Sequence, residues 1–203
     1  MKNYICINNQ KISLSAEQVE QIKGSFGLPN RKLAEVPVGD TCKIGHHEMI
    51  VLEQIGGATL LLKKDLLREN QKFGPNNHYA GSCVDVICQE FADELAAIAG
   101  EDNLLLHDVD LTSDDGLKDY GTIRRLASVL TAPQARQYVE ILDKYKLDAW
   151  WWLATPWSTP THGDTSFCKC VSPSGFIFNC HYGNDIIGVR PFCILNSNIF
   201  VSK

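Results

Sequence analysis

Six histidines and eight cysteines carry most of the acid–base, nucleophilic and metal-binding capacity of this sequence. His46, His47, His78, His107, His162 and His181 could act as bases. Cys6, Cys42, Cys83, Cys88, Cys168, Cys170, Cys180 and Cys193 could act as nucleophiles or ligands. No G-x-S-x-G, H-E-x-x-H, P-loop or G-x-G-x-x-G signature assembles them. His46-His47-Glu48 is not a zincin motif, because its second histidine is adjacent rather than four residues on. Cys168 and Cys170 share one face of a strand, and Cys180, His181 and Cys193 follow. Such a set could hold zinc, but it has no C-x₂-C pair and irregular spacing, so ordinary thiols are expected and no metal. The amino terminus is too polar for a signal-peptide core and the chain can build a core without staples, so the cysteines are expected free. Cys83 and Cys88 are expected as small buried hydrophobes on a helix.

The elements that must position these groups come from an ordinary globular composition: 203 residues, 44% hydrophobic and 21% charged. That excludes disorder as the main state and fits one domain with a small appendage. A net charge of −5 argues against sequence-independent nucleic-acid binding, and no apolar run is long enough to span a membrane. Charge is uneven. Residues 82–120 hold eleven Asp or Glu and one Lys. Residues 151–203 hold five charged residues, and 150–203 hold all four tryptophans and ten of eighteen aromatics. Asp108, Asp110, Asp114 and Asp115 suggest calcium, yet an EF-hand loop needs Gly where Ser113 stands and Glu where Asp119 stands. They are expected as turn residues and helix caps.

Residues 1–30 read as strand, turn, strand and helix, with Asn8-Asn9-Gln10 turning, Ser15 and Gln18 as a capping box, and Gly24, Gly27 and Pro29 ending the helix. Residues 25–37 read as linker, and a second unit runs from 38 to 203. Its runs 44–55 and 58–63 form a hairpin through Gly56-Gly57, and 73–79 is a polar loop. Ser82 caps a helix carrying Val84, Ile87, Cys88, Phe91, Leu95 and Ile98 on one stripe, with Asp85, Glu90, Asp93 and Glu94 on a solvated face. Thr131 caps a third helix with Pro133 in its first turn. Strands follow at 150–153, 167–171, 176–180 and 189–195. The fold class is α+β, with two or three helices flanking small antiparallel sheets.

Trp151-Trp152-Leu153-Ala154-Thr155-Pro156, then Ser174-Gly175, then Gly188-Val189-Arg190-Pro191-Phe192 form a specific order. It resembles an uncharacterised domain family of Firmicutes and their phages, with a WWLRSP-like motif and an ending near GVRPAL. Ile44 with Val51-Leu52, Asn77-Tyr79-Ser82, Leu111-Thr112 and Asp115-Gly116 fit as well, so the resemblance spans about 38–201. Ala154 stands where arginine is usual, and Phe192-Cys193 where Ala-Leu is commoner. The resemblance implies a C-type-lectin-like fold, as in formylglycine-generating enzymes and the variable proteins of diversity-generating retroelements. Paired cysteines do the chemistry in the former, but neither Cys168/Cys170 nor Cys180/Cys193 matches their context. No catalysis and no cofactor are therefore expected.

Trp151, Trp152, Pro156, Gly175, Gly188, Arg190 and Pro191 are expected to be structural. Trp151 should face one side of a strand and Trp150 with Trp152 the other, and Arg190 should bond carbonyls or one carboxylate. The binding candidates are Trp157, His162, Asp164 and Phe167 around one loop, and Asn179, His181, Tyr182, Asn184 and Asp185 around another. Two function classes follow: a binding protein presenting these loops to a protein or small ligand, or a phage-encoded anti-defence inhibitor whose acidic 82–120 surface covers a host protein. A zinc-stabilised or thiol-dependent enzyme is a lesser third. A location in the bacterial cytoplasm or on a phage particle goes with these readings.

Overall fold

The computed structural model describes residues 4–7, 10–25 and 31–202. β1 (Tyr4–Ile7) pairs antiparallel with β2 (Gln10–Ser13), and α1 (Ala16–Ser25) follows. Ser15 Oγ accepts from the Gln18 amide at 3.1 Å while Gln18 Oε1 accepts from the Ser15 amide at 2.9 Å, a complete capping box. The turn residues Asn8 and Asn9 and the helix stop at Gly27 and Pro29 lie outside the described residues.

The stretch 31–37, expected as linker, belongs to the main unit. β3 (Arg31–Lys32) pairs with Phe200–Val201, and the amides of Leu33 and Ala34 donate to Ile199 and Ser197. Leu33 and Val36 are fully buried. Two apolar side chains spaced by a short 3₁₀ turn suffice to seat this segment.

β4 (Thr41–Ile44), β5 (His47–Ile55) and β6 (Ala58–Lys63) form a meander. Ile44 ends β4 rather than opening the next strand, because Gly45-His46 makes a two-residue turn with Gly45 at φ +59°. α2 (Cys83–Ala99) starts where Ser82 Oγ accepts from the Asp85 amide and stops at Gly100. β7 (Leu104–Leu105), β8 (His107–Asp110), β9 (Thr122–Arg125) and β10 (Ala127–Val129) come next. The single helix expected after Thr131 is two, α3 (Ala132–Gln137) and α4 (Val139–Lys144), because the backbone leaves helical geometry at Tyr138. The described residues therefore hold four α-helices, α1 in the amino-terminal appendage and three flanking the sheets. β11 (Trp151–Pro156), β12 (Phe167–Val171), β13 (Ile177–His181), β14 (Pro191–Asn196) and β15 (Phe200–Val201) complete the chain.

All these ladders are antiparallel. The largest sheet runs β10–β14–β6–β5–β4, with β7 on the same edge of β14 as β10. Its strands are apolar at successive positions because both faces are covered. Met49, Val51, Leu61, Cys193 and Leu195 pack in one core with α2. Ile50, Leu52, Leu62 and Phe192 pack in a second with Ala135, Tyr138 and Leu142 of the α3–α4 segment. The two-residue period of a strand sorts them. Phe73, Asn77 and Tyr79 are fully buried, so the expected polar loop instead fills the core beside α2. Of the α2 stripe, Val84, Ile87, Cys88, Phe91 and Leu95 are buried, whereas Ile98, in the last turn of the helix, is 42% exposed. Cys83 is exposed, not a buried hydrophobe, since it opens the helix on its outer side. Asp85 is buried rather than solvated: Arg125 donates Nε and Nη2 to its two carboxylate oxygens at 2.9 and 2.8 Å, tying α2 to β9. Among the described residues, no helix is long and apolar enough to cross a membrane.

Candidate functional site

The charge-poor carboxy-terminal region forms a three-stranded sheet, β11–β12–β13. Trp151 packs in the core beneath α3 and α4, and Trp152, with Trp150 against it, in the core beneath α2. Pro156 lies opposite Cys168, beyond a register shift that follows Trp152. Gly188 bridges to Trp151, and a Cβ there would collide with Leu66. Gly175 turns the β12–β13 hairpin at φ +88°. Pro191 opens β14 and is buried. Arg190 is fully buried and donates Nε to the Lys63 carbonyl at 2.9 Å and Nη2 to those of Lys64 and Tyr145 at 2.7 and 3.2 Å. Its guanidinium sits 5.3 Å from the Trp151 ring centroid, and both line a small cleft of about 70 Å³ with Leu142, Lys146, Val171 and Ile177.

Aspartates hold the 157–163 loop in place. Asp115 accepts from Ser113, from Ser158 Oγ at 2.6 Å and pairs with His162 Nδ1 at 2.9 Å. Asp119 accepts from Thr159 Oγ1 at 2.7 Å and from the Thr161 amide at 3.0 Å. Asp114 bridges Lys169 at 2.7 Å and Arg136 at 3.1 Å. Hydrogen bonds from Ser113 and Ser158, with His162 behind them, hold the Asp115 carboxyl far below the usual carboxylate range. Those from Thr161 and Thr159 lower that of Asp119. Burial opposes the Asp114 charge, but the Lys169 and Arg136 cations outweigh it and its carboxyl is lowered too. Asp108 instead faces Arg124, and Asp110 caps Thr112, so the four aspartates that suggested calcium do not converge.

The sign of the pH effect follows. A carboxyl depressed on folding contributes stability above its unfolded value, near ~3.9, and loses it as pH falls through the folded value. The protein is expected to lose stability below about pH 4. Asp115→Asn is expected to cost ~1–2 kcal/mol at neutral pH and to flatten that acid limb. Urea melts across pH 2–7, with amide exchange of residues 157–163, check it: an unchanged acid limb would discard this role.

Past the aspartates, the hairpin meets solvent. Trp157 is half-exposed with Lys169 Nζ 4.8 Å from its ring centroid. Across the register, Phe167 faces His181 and Lys169 faces Asn179, so Trp157, Phe167, Asn179 and His181 share one surface. Phe167 and His181 meet edge to face at 5.8 Å. The other candidates turn the chain: Asp164 accepts from the Ser166 amide and Asn184 from the Ile186 amide. Tyr182 packs partly into the α2-side core beside the His181 ring, His162 belongs to the Asp115 cluster, and Asp185 is exposed.

Residue types alone missed the opposite surface. Phe176 and Phe178 are 67% and 47% exposed, meet edge to face at 6.5 Å, and Phe178 contacts Trp150 at 5.4 Å. Ile186, 63% exposed, lines the same cleft as Trp150. The alternation 176, 178, 180 was the available signal, but it reads as a core face until β13 is known to be an edge strand.

The expectation that the cysteines are all free needs correction. Cys170 and Cys180 form a disulfide, with Cα atoms 6.1 Å apart on neighbouring strands. Strand register, which the spacing 170–180 does not encode, brings them together. Cys168 is buried and free, and Cys193 lies on β14 in the other sheet, so the suggested cysteine–histidine set does not assemble. Ser158, His162 and Asp115 are the residue types of a hydrolytic triad, but the serine donates to the carboxylate rather than to the imidazole.

Comparison of the chain with family models, with curated proteins and with solved structures finds no match.

Proposed function

We propose that this protein is a non-catalytic binding protein that docks a protein partner on the β12–β13 hairpin. The observation that carries the reading is an edge hairpin with exposed aromatics on both faces: Phe176 and Phe178 on one, Phe167 and His181, with Trp157 of the neighbouring loop, on the other. Exposed large rings beside unpaired strand groups are costly unless a partner covers them, and aromatics at low entropic cost dominate binding energy. The disulfide, the aspartate-held loop and the tryptophan core keep this surface rigid. The WWLATP and GVRPF motifs support a C-type-lectin-like scaffold of bacterial or phage origin, inside the host cell or on a phage particle.

The acidic-surface inhibitor has less to stand on, because Asp85, Asp110, Asp114, Asp115 and Asp119 are engaged within the molecule. Affinity capture from bacterial lysate, followed by titration of the captured protein, separates the two. Phe176→Ser with Phe178→Ser is expected to weaken binding by ~30-fold or more, with little effect of 0.5 M salt, itself about a 4 Å screening length. Loss with Asp93→Asn and Asp102→Asn, or with salt, would favour the acidic surface instead.

A further inference from the structure

The β4–β5 turn presents His46 and His47 to α2, away from the aromatic hairpin. His46 Nε2 and His47 Nε2 lie 3.2 and 3.3 Å from the same carboxylate oxygen, Glu94 Oε1. All three donor atoms fall within 4.8 Å of one another. The backbone sets this up. Gly45, in the left-handed region, approaches the Ile98 side chain so closely that a Cβ would touch it at 3.0 Å, and Glu94 stands one helical turn before Ile98.

His47 is the telling member. It is 98% buried, its ring 4.0 Å from that of His46 and edge-on to Phe91 at 5.0 Å. Its Nε2 is shielded from solvent and forms no hydrogen bond, although it points into the cluster. A buried polar nitrogen left this way is costly, so it needs a partner. The distances suggest which. A charge-assisted imidazolium–carboxylate bond closes to ~2.7–2.9 Å. Ligands at ~2.0–2.1 Å around a tetrahedral ion stand about 3.3 Å apart, which matches the separation of each histidine nitrogen from the Glu94 oxygen.

We propose that His46, His47 and Glu94 form a site for a zinc-class divalent transition-metal ion, bound through both Nε2 atoms and the carboxylate, with a further position open to water. Two imidazoles and one carboxylate suit zinc or cobalt better than calcium or magnesium, which take oxygen ligands.

The test uses the full chain carrying Cys83→Ser, which removes the one exposed free thiol among the described residues as a competing ligand. Zinc is titrated against a chromophoric chelator, and cobalt is followed by visible absorption. One equivalent of each is expected, cobalt giving tetrahedral bands without a thiolate charge-transfer band. His46→Ala and Glu94→Gln change side chains that are 71% and 44% exposed, so both variants should fold, as circular dichroism would verify. Each should weaken zinc binding by at least ~10-fold and abolish the cobalt bands, while His162→Ala should change neither. No binding by the parent chain, or equal affinity and spectra in all variants, would overturn the proposal.

Discussion

Trp152→Ala is expected to remove ~3–5 kcal/mol of stability, a large share of the 5–15 kcal/mol typical of a domain. The indole is completely buried, meets Phe73 edge to face at 5.3 Å, and donates Nε1–H to the Gln71 carbonyl at 2.7 Å. Alanine would leave a ring-sized cavity between β11 and the 71–79 segment and orphan that carbonyl. Trp152→Phe keeps most of the packing and should cost markedly less. Urea denaturation provides the measure: the midpoint should fall with an unchanged slope. A loss under about 1 kcal/mol would mean the site collapses around the cavity and that Trp152 does not pin this sheet to the core.

Arg190→Met is expected to cost a similar ~3–5 kcal/mol for a different reason. Methionine fills much of the volume but donates nothing, so the carbonyls of Lys63, Lys64 and Tyr145 lose their donors together. These carbonyls end β6 and the α4 segment, so the guanidinium is the tie between the large sheet and the helices over Trp151. Burial lowers the arginine to about 10, opposed by Asp65, which leaves it charged at neutral pH. Arg190→Lys should recover only part of the loss, because an ammonium cannot reproduce the planar fork. If Arg190→Lys matched the parent in urea melts, charge rather than geometry would be the tie.

Much of the local architecture was legible in the residues. The Ser15–Gln18 box, the Ser82 cap and the strand 167–171 each depend on neighbours a few positions apart, and each stands where the pattern put it. The split of the third helix at Tyr138 was not legible, because Thr131, Pro133 and the apolar spacing specify only its start and its inner face. At the hairpin, residue type pointed to Trp157, Phe167, Asn179 and His181 but passed over Phe176 and Phe178, since exposure depends on which strand is the sheet's edge.

The sequence by itself determined an α+β chain with an aromatic, charge-poor carboxy-terminal sheet, because turns, caps and two-residue alternation are short-range effects of backbone sterics and apolar burial. The tertiary structure alone decided the pairs that carry the chemistry: Asp85 with Arg125, Asp115 with Ser158 and His162, Cys170 with Cys180, and Glu94 with His46 and His47. A side chain's partner across ten to fifty positions is fixed by strand register and helix placement, which arise from packing the whole core and leave no local mark on the residues that meet.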